Sequence, residues 1–281
     1  MKQFLILVML WLVFPAQVNA QFRAQVNAQA GLGISHAEVT CNHFRVHAST
    51  QHGRPVANVL ALCQRVRHDL CALWGISENS SKWEPLCEIV VHSTLENYVT
   101  AVGPEAAQTM GCSSIDLQAG KVVRRRIDLK LDENGTLPAL AHELTHVVLA
   151  DRFRGRQTPH WLDEGIAMLA DTREKQLLHE RDCDEAIASG KAMPLEALMN
   201  LQQFSSAEQM PAFYGQSLSL VNMLARERTP QQLIDFAVEC VDKGYSATLK
   251  KHYGIDHMSQ LTARWRAYVQ ATKQAAPKPL Y

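Results

Sequence analysis

A pair of histidines separated by three residues is the feature of this sequence that points most directly to chemistry. His142 and His146 enclose Glu143 in the pattern His-Glu-x-x-His. On an α-helix this spacing places both imidazoles on one face, where they can bind the same zinc ion at about 2.0–2.1 Å. Glu143 lies off the line of the two ligands, so its carboxylate can instead take a proton from a zinc-activated water. The pattern predicts a catalytic metal site.

The residues around the motif indicate the helix that would carry it. Thr136 is a suitable N-cap, and the first helical turn tolerates Pro138. Apolar residues recur at helical spacing on the face opposite the histidines, at Leu137, Leu140, Leu144 and Val148. We therefore expect a helix with one core side and one ligand side.

A zinc site that is open to water needs a third protein ligand. Thr158-Pro159 has the form of a helix start, and the helix it opens carries Glu164. Glu164 is the candidate ligand, because a polar turn over 151–157 would let this helix fold back on the first. A metzincin site is excluded, since the two positions that need glycine and histidine hold other residues.

The two helices and several later segments resemble the gluzincin zinc metallopeptidases, the peptidase MA-like group. The resemblance extends over residues 85–270, through the motif, Trp161–Gly165, Pro194–Leu198, Phe213–Ser217, Tyr253–Ile255 and Trp265–Arg266. The resemblance implies one catalytic Zn²⁺ bound by His142, His146 and Glu164, with Asp163 as the fallback ligand because the gap between His146 and Glu164 is slightly shorter than in thermolysin-like or aminopeptidase N-like relatives. It also implies hydrolysis of a peptide or protein substrate, with Glu143 as the general base.

The resemblance and the helical spacing suggest further roles. Gluzincins stabilise the oxyanion with a Tyr or His donor, for which Tyr214 is the candidate; a buried core tyrosine is the alternative. Asp171, seven residues after Glu164, could orient a ligand histidine, or could be an exposed carboxylate. His160 is expected to line the cleft rather than bind the metal. By analogy, an edge strand near Cys112–Leu117 would hold the substrate backbone.

The distribution of strand-like and helix-like runs indicates an α+β fold. Two strand candidates, Cys112–Leu117 and Lys121–Leu129, flank Ala119-Gly120 as a hairpin. Other strand-like runs lie at 36–47 and 84–91, and helical runs lie at 56–74, 207–227, 230–242 and 256–271. We expect a zincin-like catalytic subdomain over 36–176, with a mixed sheet and the active-site helix pair, followed by a helical C-terminal subdomain over 177–281.

The N-terminus has the form of a secretory signal peptide. Lys2 precedes an apolar stretch, Phe4–Phe14, and Val18-Asn19-Ala20 resembles a cleavage site. A short sequence repeat offers a second cut after Ala28. The apolar stretch is shorter than the roughly 20 residues that span a bilayer, so no integral membrane anchor is expected. We expect residues 1–20 to be removed, residues 21–35 to be a flexible segment, and the protein to be secreted or periplasmic.

Charge gives no argument for a nucleic-acid partner, because 28 Lys and Arg balance 28 Asp and Glu. The oligomeric state is not indicated. Seven cysteines in an exported chain favour disulfides, although the odd number leaves at least one thiol outside an internal bridge. Cys63 and Cys71 lie about 12 Å apart on one predicted helix and should not bond to each other. Structural bridges or buried thiols are expected.

Two other functional classes are compatible with the same residues. The chain could be a non-catalytic zinc- or peptide-binding module of the cell envelope, although the intact Glu143 favours catalysis. It could also be a purely structural domain in which the motif is fortuitous. Metal analysis of the mature protein separates the structural class from the other two.

Overall fold

The computed structural model describes residues 36–49, 56–77, 82–153 and 156–274. The predicted signal peptide, 1–20, and the segment 21–35 lie outside the described residues. The strands are β1 (His36–Thr40), β2 (Phe44–Ser49), β3 (Cys87–His92), β4 (Gly111–Gln118) and β5 (Lys121–Lys130). The α-helices are α1 (Val56–Leu73), α2 (Leu95–Val102), α3 (Leu140–Ala150), α4 (His160–Met168), α5 (Arg173–Ala188), α6 (Leu195–Asn200), α7 (Met210–Glu227), α8 (Pro230–Lys243), α9 (Tyr245–Tyr253) and α10 (Met258–Gln274).

The five strands form one mixed sheet in the order β1-β2-β3-β5-β4. β1 runs antiparallel to β2, whereas β2, β3 and β5 are parallel neighbours. Val46, Ile89 and Ile127 lie side by side across these three strands, and all are fully buried. Central parallel strands are usually covered on both faces, which explains their β-branched apolar residues. The predicted α+β class is confirmed, and the finer zincin-like arrangement stays a prediction.

The strand predictions hold with one correction. The run 36–47 forms two strands rather than one, because the chain reverses after Cys41, whose backbone N–H donates to the carbonyl of Phe44. The predicted hairpin is present, with β4 and β5 flanking Ala119 and Gly120. Both turn residues have positive φ, 50° and 73°. These are the left-handed conformations that a two-residue hairpin turn requires.

The motif helix begins later than predicted, at Leu140. Thr136 does not cap it, because its hydroxyl donates to Oδ2 of Asp132 at 2.5 Å and its backbone N–H donates to Oδ1 at 2.6 Å. The carboxylate of Asp132 therefore organises the turn that precedes α3. The second helix also begins one residue late: Pro159 occupies the cap position and His160 is the first helical residue.

The chain divides into two compact units. One draws its described residues from Met1–His68, Asn79–Asp116 and Val122–Val147, and the other from Asp69–Glu78, Leu117–Lys121 and Val148–Tyr281. The first unit holds most of the sheet, and the second holds the helices from α4 onward. The boundary predicted at residue 176 rested on where strand signals fade, and it stays a prediction.

Helix α7 is the packing centre of the second unit. A Cβ at Gly215 would lie 2.5 Å from the backbone N of Cys183 and 2.7 Å from the carbonyl O of His179, so only glycine lets α5 and α7 approach this closely. Most of α7 is buried. In the described part of the chain, no helix is both long and apolar enough to cross a membrane.

None of the seven cysteines forms a disulfide. The structure therefore does not support the predicted bridges and agrees with the buried-thiol alternative. Five thiols are buried, those of Cys63, Cys71, Cys87, Cys183 and Cys240. Burial raises the pKa of Cys63 and of Cys240 to about 12, which keeps these thiols protonated at neutral pH.

A buried ionic group links β3 and β5. The carboxylate of Asp128 accepts hydrogen bonds from Nε and Nη2 of Arg126 at 2.6 and 2.7 Å, and another from Nε2 of His92 at 2.7 Å. Burial alone would raise the pKa of Asp128, but the hydrogen bonds from Arg126 and His92 lower it to about 2. The sheet therefore depends on an ionised carboxylate in its interior.

We expect Asp128→Asn to lower the free energy of unfolding by about 3–5 kcal/mol at neutral pH, because the variant leaves the buried Arg126 without its closest anion. The folded-state pKa lies below the value of about 3.9 in unfolded chains. This stabilisation is therefore complete above about pH 4 and is lost as the pH falls toward about 2. Urea unfolding at several pH values should show a difference between wild type and variant that narrows over this interval.

Asp116→Asn is the matched control. Asp116 is partly exposed and lies 3.7 Å from Arg124 on the neighbouring strand, a pair worth at most about 1 kcal/mol. An equal loss of stability in the two variants would contradict the importance of the buried group.

Candidate metal centre

Helix α3 carries the two motif histidines and Glu143, and all three side chains are almost completely buried. The imidazole centroids of His142 and His146 lie 5.0 Å apart, with their planes at 72°. Leu140 and Leu144, predicted for the opposite face, are buried as well. The spacing thus produces what helical geometry requires, two neighbouring imidazoles one turn apart.

His142, His146 and Glu164 form a group that could hold a metal ion. Each offers one ligand atom, and these atoms all lie within 4.8 Å of one another. Two imidazole nitrogens and one carboxylate oxygen are a common ligand set of catalytic zinc, whose tetrahedral geometry separates ligand atoms by about 3.3 Å. Since burying a carboxylate costs free energy, a cation at this place would offset part of that cost. The donor set therefore fits a metal ion with one coordination position left for water.

Glu164, and not the fallback Asp163, joins the histidines among the residues that the structure describes. All nine residues of α4 are buried. A Cβ at Gly165 would lie 2.9 Å from the carbonyl O of Ser217 and 2.4 Å from Cγ2 of Val221, both on α7. Glycine at this position lets α4 lie directly against α7, which fixes the helix that presents Glu164.

His160 lies one turn before Glu164 on α4. Its Nε2 is 3.9 Å from Oε1 of Glu164, and its ring packs against Phe213 and Phe204 at centroid distances of 4.6 and 5.6 Å. Within the described chain, it does not belong to the three-residue ligand group. The structure thus places His160 beside the carboxylate ligand, as a polar neighbour.

Tyr214 is buried in an aromatic cluster. Its ring lies 5.3 Å from Phe213, 6.2 Å from Phe204 and 6.0 Å from His179. This environment agrees with the alternative of a core tyrosine. Its role as oxyanion donor stays a prediction.

Asp171 does not lie on the helical face predicted for it, because α4 ends at Met168. Its side chain is fully buried, which excludes the alternative of an exposed carboxylate, and Oδ1 accepts a hydrogen bond from Nζ of Lys175 at 2.9 Å. A hydrogen bond from Asp171 to a ligand histidine stays a prediction.

Gly111 is a residue that sequence reasoning missed. It begins β4 at the edge of the described sheet, and a Cβ there would lie 2.8 Å from Cγ of Glu143. A glycine that opens a run of strand formers was the available signal, since glycine in a strand often marks a close approach. The sequence does not show which group lies close to Gly111.

Comparison with known families agrees with this geometry. The family model described as the peptidase MA superfamily matches residues 131–271, half of the chain and the part that contains all three candidate ligands. The chain belongs to the peptidase MA superfamily. No curated protein matches the chain. Members of the superfamily are typically metal-dependent, and membership suggests a peptidase.

The neighbouring acids of α4 provide a test of the ligand group. We expect Glu164→Gln to lower zinc affinity at least 100-fold, because an amide oxygen is a neutral and weaker ligand than a carboxylate. Asp163→Asn is the matched control, equally buried and one residue away, and it should bind zinc like the wild type. Competition with a chromophoric chelator measures both affinities. If the Asp163 variant loses zinc and the Glu164 variant keeps it, the assignment is reversed.

Proposed function

We propose that this protein is a zinc-dependent peptidase that hydrolyses peptide bonds with Glu143 as its general base. The proposal is carried by one observation: a buried His-His-Glu ligand group whose first histidine is followed directly by a buried glutamate. Membership of the peptidase MA superfamily supports the same reaction class.

In this reaction the bound ion and the side chains would have different roles. Zinc supplies Lewis acidity, which polarises the scissile carbonyl and makes water a stronger acid. Glu143 would accept the proton of the attacking water and later donate it to the leaving nitrogen. Oε1 of Glu143 is buried and has no hydrogen-bond partner among the described residues, so its lone pairs are available for that proton. No covalent intermediate with the chain is needed.

The substrate would bind as an extended peptide along β4. This strand is at one edge of the described sheet, so its outer backbone groups can pair with an added strand. Its first residue, Gly111, is in close contact with Glu143. A peptide backbone paired with the beginning of β4 would therefore pass beside the general base. Backbone pairing would hold a peptide without strong demands on its side chains.

We expect Glu143→Gln to reduce kcat by about 10²–10⁴-fold while zinc remains bound, because the amide cannot accept the proton and is not a ligand. Hydrolysis of an internally quenched peptide library, together with zinc content by atomic emission, measures both quantities. In the wild type, 1,10-phenanthroline should abolish hydrolysis, and added zinc should restore it.

The outcomes separate the functional classes. A wild-type protein that binds one zinc ion and cleaves no peptide in the library would be a binding module, and the peptidase proposal would fail. A protein without zinc would support the purely structural class. Glu143→Asp is a useful further variant, because it keeps the charge but withdraws the carboxylate, so a large loss of kcat would indicate that position matters as well as basicity.

We further propose that the protein is exported to the periplasm or the medium. The support is the basic, apolar and small-residue pattern of residues 1–20. Expression of the full chain should give a mature N-terminus at Gln21 or Gln29, measured by N-terminal sequencing of the exported fraction. Leu7→Arg, which interrupts the apolar stretch, should retain the protein inside the cell. A wild-type protein that stays in the cytoplasm with Met1 intact would contradict export.

A further inference from the structure

Glu143, the proposed general base, is buried. It is 2% exposed, and its buried Oε1 has no hydrogen-bond partner in the described part of the chain. Such a group must be kept close to its productive position, because a displacement of about 1 Å can cost about 100-fold in rate. Since no hydrogen bond from the described residues restrains Oε1, packing against neighbouring atoms must hold it in place.

Gly111 provides that restraint. A Cβ built at this position would lie 2.8 Å from Cγ and 3.2 Å from Oε1 of Glu143, and 2.7 Å from Cβ of Ala139. Contacts between real Cβ atoms and other heavy atoms are essentially never shorter than 3.0 Å. The backbone of Gly111 thus lies directly against the side chain of Glu143, with no room for even a methyl group between them.

Backbone hydrogen bonds hold both segments that form this contact, the start of β4 and the start of α3. The N–H of Lys130 donates to the carbonyl of Met110 at 2.9 Å, which ties the start of β4 to β5. The N–H of Glu143 donates to the carbonyl of Ala139 at 3.0 Å, which ties the start of α3 to the residue that also contacts Gly111. Because neither backbone segment can move freely, a side chain at position 111 would displace the side chain of Glu143.

We propose that Gly111 is a positioning residue for Glu143: its missing side chain leaves the space that the catalytic carboxylate occupies, and its backbone closes that space. Glycine at 111 is thus required for the geometry of proton transfer, beyond any requirement of the strand. This inference rests on the proposed function, since it presupposes that Glu143 is the general base.

The first experiment is Gly111→Ala in the full-length, zinc-loaded protein. With the library peptide that the wild type cleaves best, we expect kcat to fall about 100-fold while KM changes less than threefold. Zinc affinity, measured by chelator competition, should stay within twofold of wild type, because the methyl group is directed at Glu143 and Ala139 and not at a ligand.

Two further variants separate positioning from packing. In Gly111→Ala/Ala139→Gly the clash with residue 139 is removed and the clash with Glu143 remains. We expect this variant to recover the Tm of the wild type but not its kcat. In a Glu143→Gln background, Gly111→Ala should lower kcat less than threefold further, because the group that it displaces has already lost its function.

The inference is overturned if the Ala139→Gly partner restores kcat together with Tm, since Gly111 would then serve only packing. It is also overturned if Gly111→Ala costs the full 100-fold in the Glu143→Gln background, or if it lowers zinc affinity in proportion to kcat. Failure of the proposed function is distinguishable: the wild type would then cleave no peptide, and the inference would fall with it.

Discussion

The burial of ionisable side chains is the constraint on which the rest of this structure depends. His142, Glu143, His146 and Glu164 are each at most 3% exposed. Charged groups removed from water must be compensated by partners, and a metal ion is the strongest compensation available to two imidazoles and a carboxylate. An interior that offered no such partners would exclude these polar residues of α3 and α4. The helices must supply enough apolar contact elsewhere to keep them buried.

That contact is obtained through very close approach at three glycines. Gly111 faces Glu143, Gly165 faces the backbone of α7 at Ser217, and Gly215 faces the backbone of α5. At each position a single methyl group would fall within 3 Å of a neighbouring atom. Close packing of this kind holds side chains in defined positions, which a metal site and a general base both require. The glycines therefore contribute to the site although none carries a reactive group.

The parts of the site that depend on local geometry could be predicted from the sequence. The i, i+4 spacing of His142 and His146 needs only a helix, and the hairpin needs only Ala119-Gly120 between strand formers. Features that depend on which partner a residue contacts could not be predicted. Thr136 would be a good N-cap, but Asp132 competes for it. The approach of Gly111 to Glu143 joins residues 32 positions apart, and the disulfides expected from the cysteine count are replaced by buried thiols.

The sequence leaves two neighbouring acids open, Asp163 and Glu164, and packing constrains the direction in which each of them points. Both are acidic and buried, and they differ by one position on α4. Successive residues on a helix point about 100° apart, so only one of them can face a given partner. Position 165 faces α7 and requires glycine there, because any larger residue would collide with Ser217 and Val221. That requirement fixes the rotation of α4 about its own axis and leaves Asp163 about 160° from the glycine face. Glu164, one position before the glycine, is the acid that belongs to the group that could hold a metal ion.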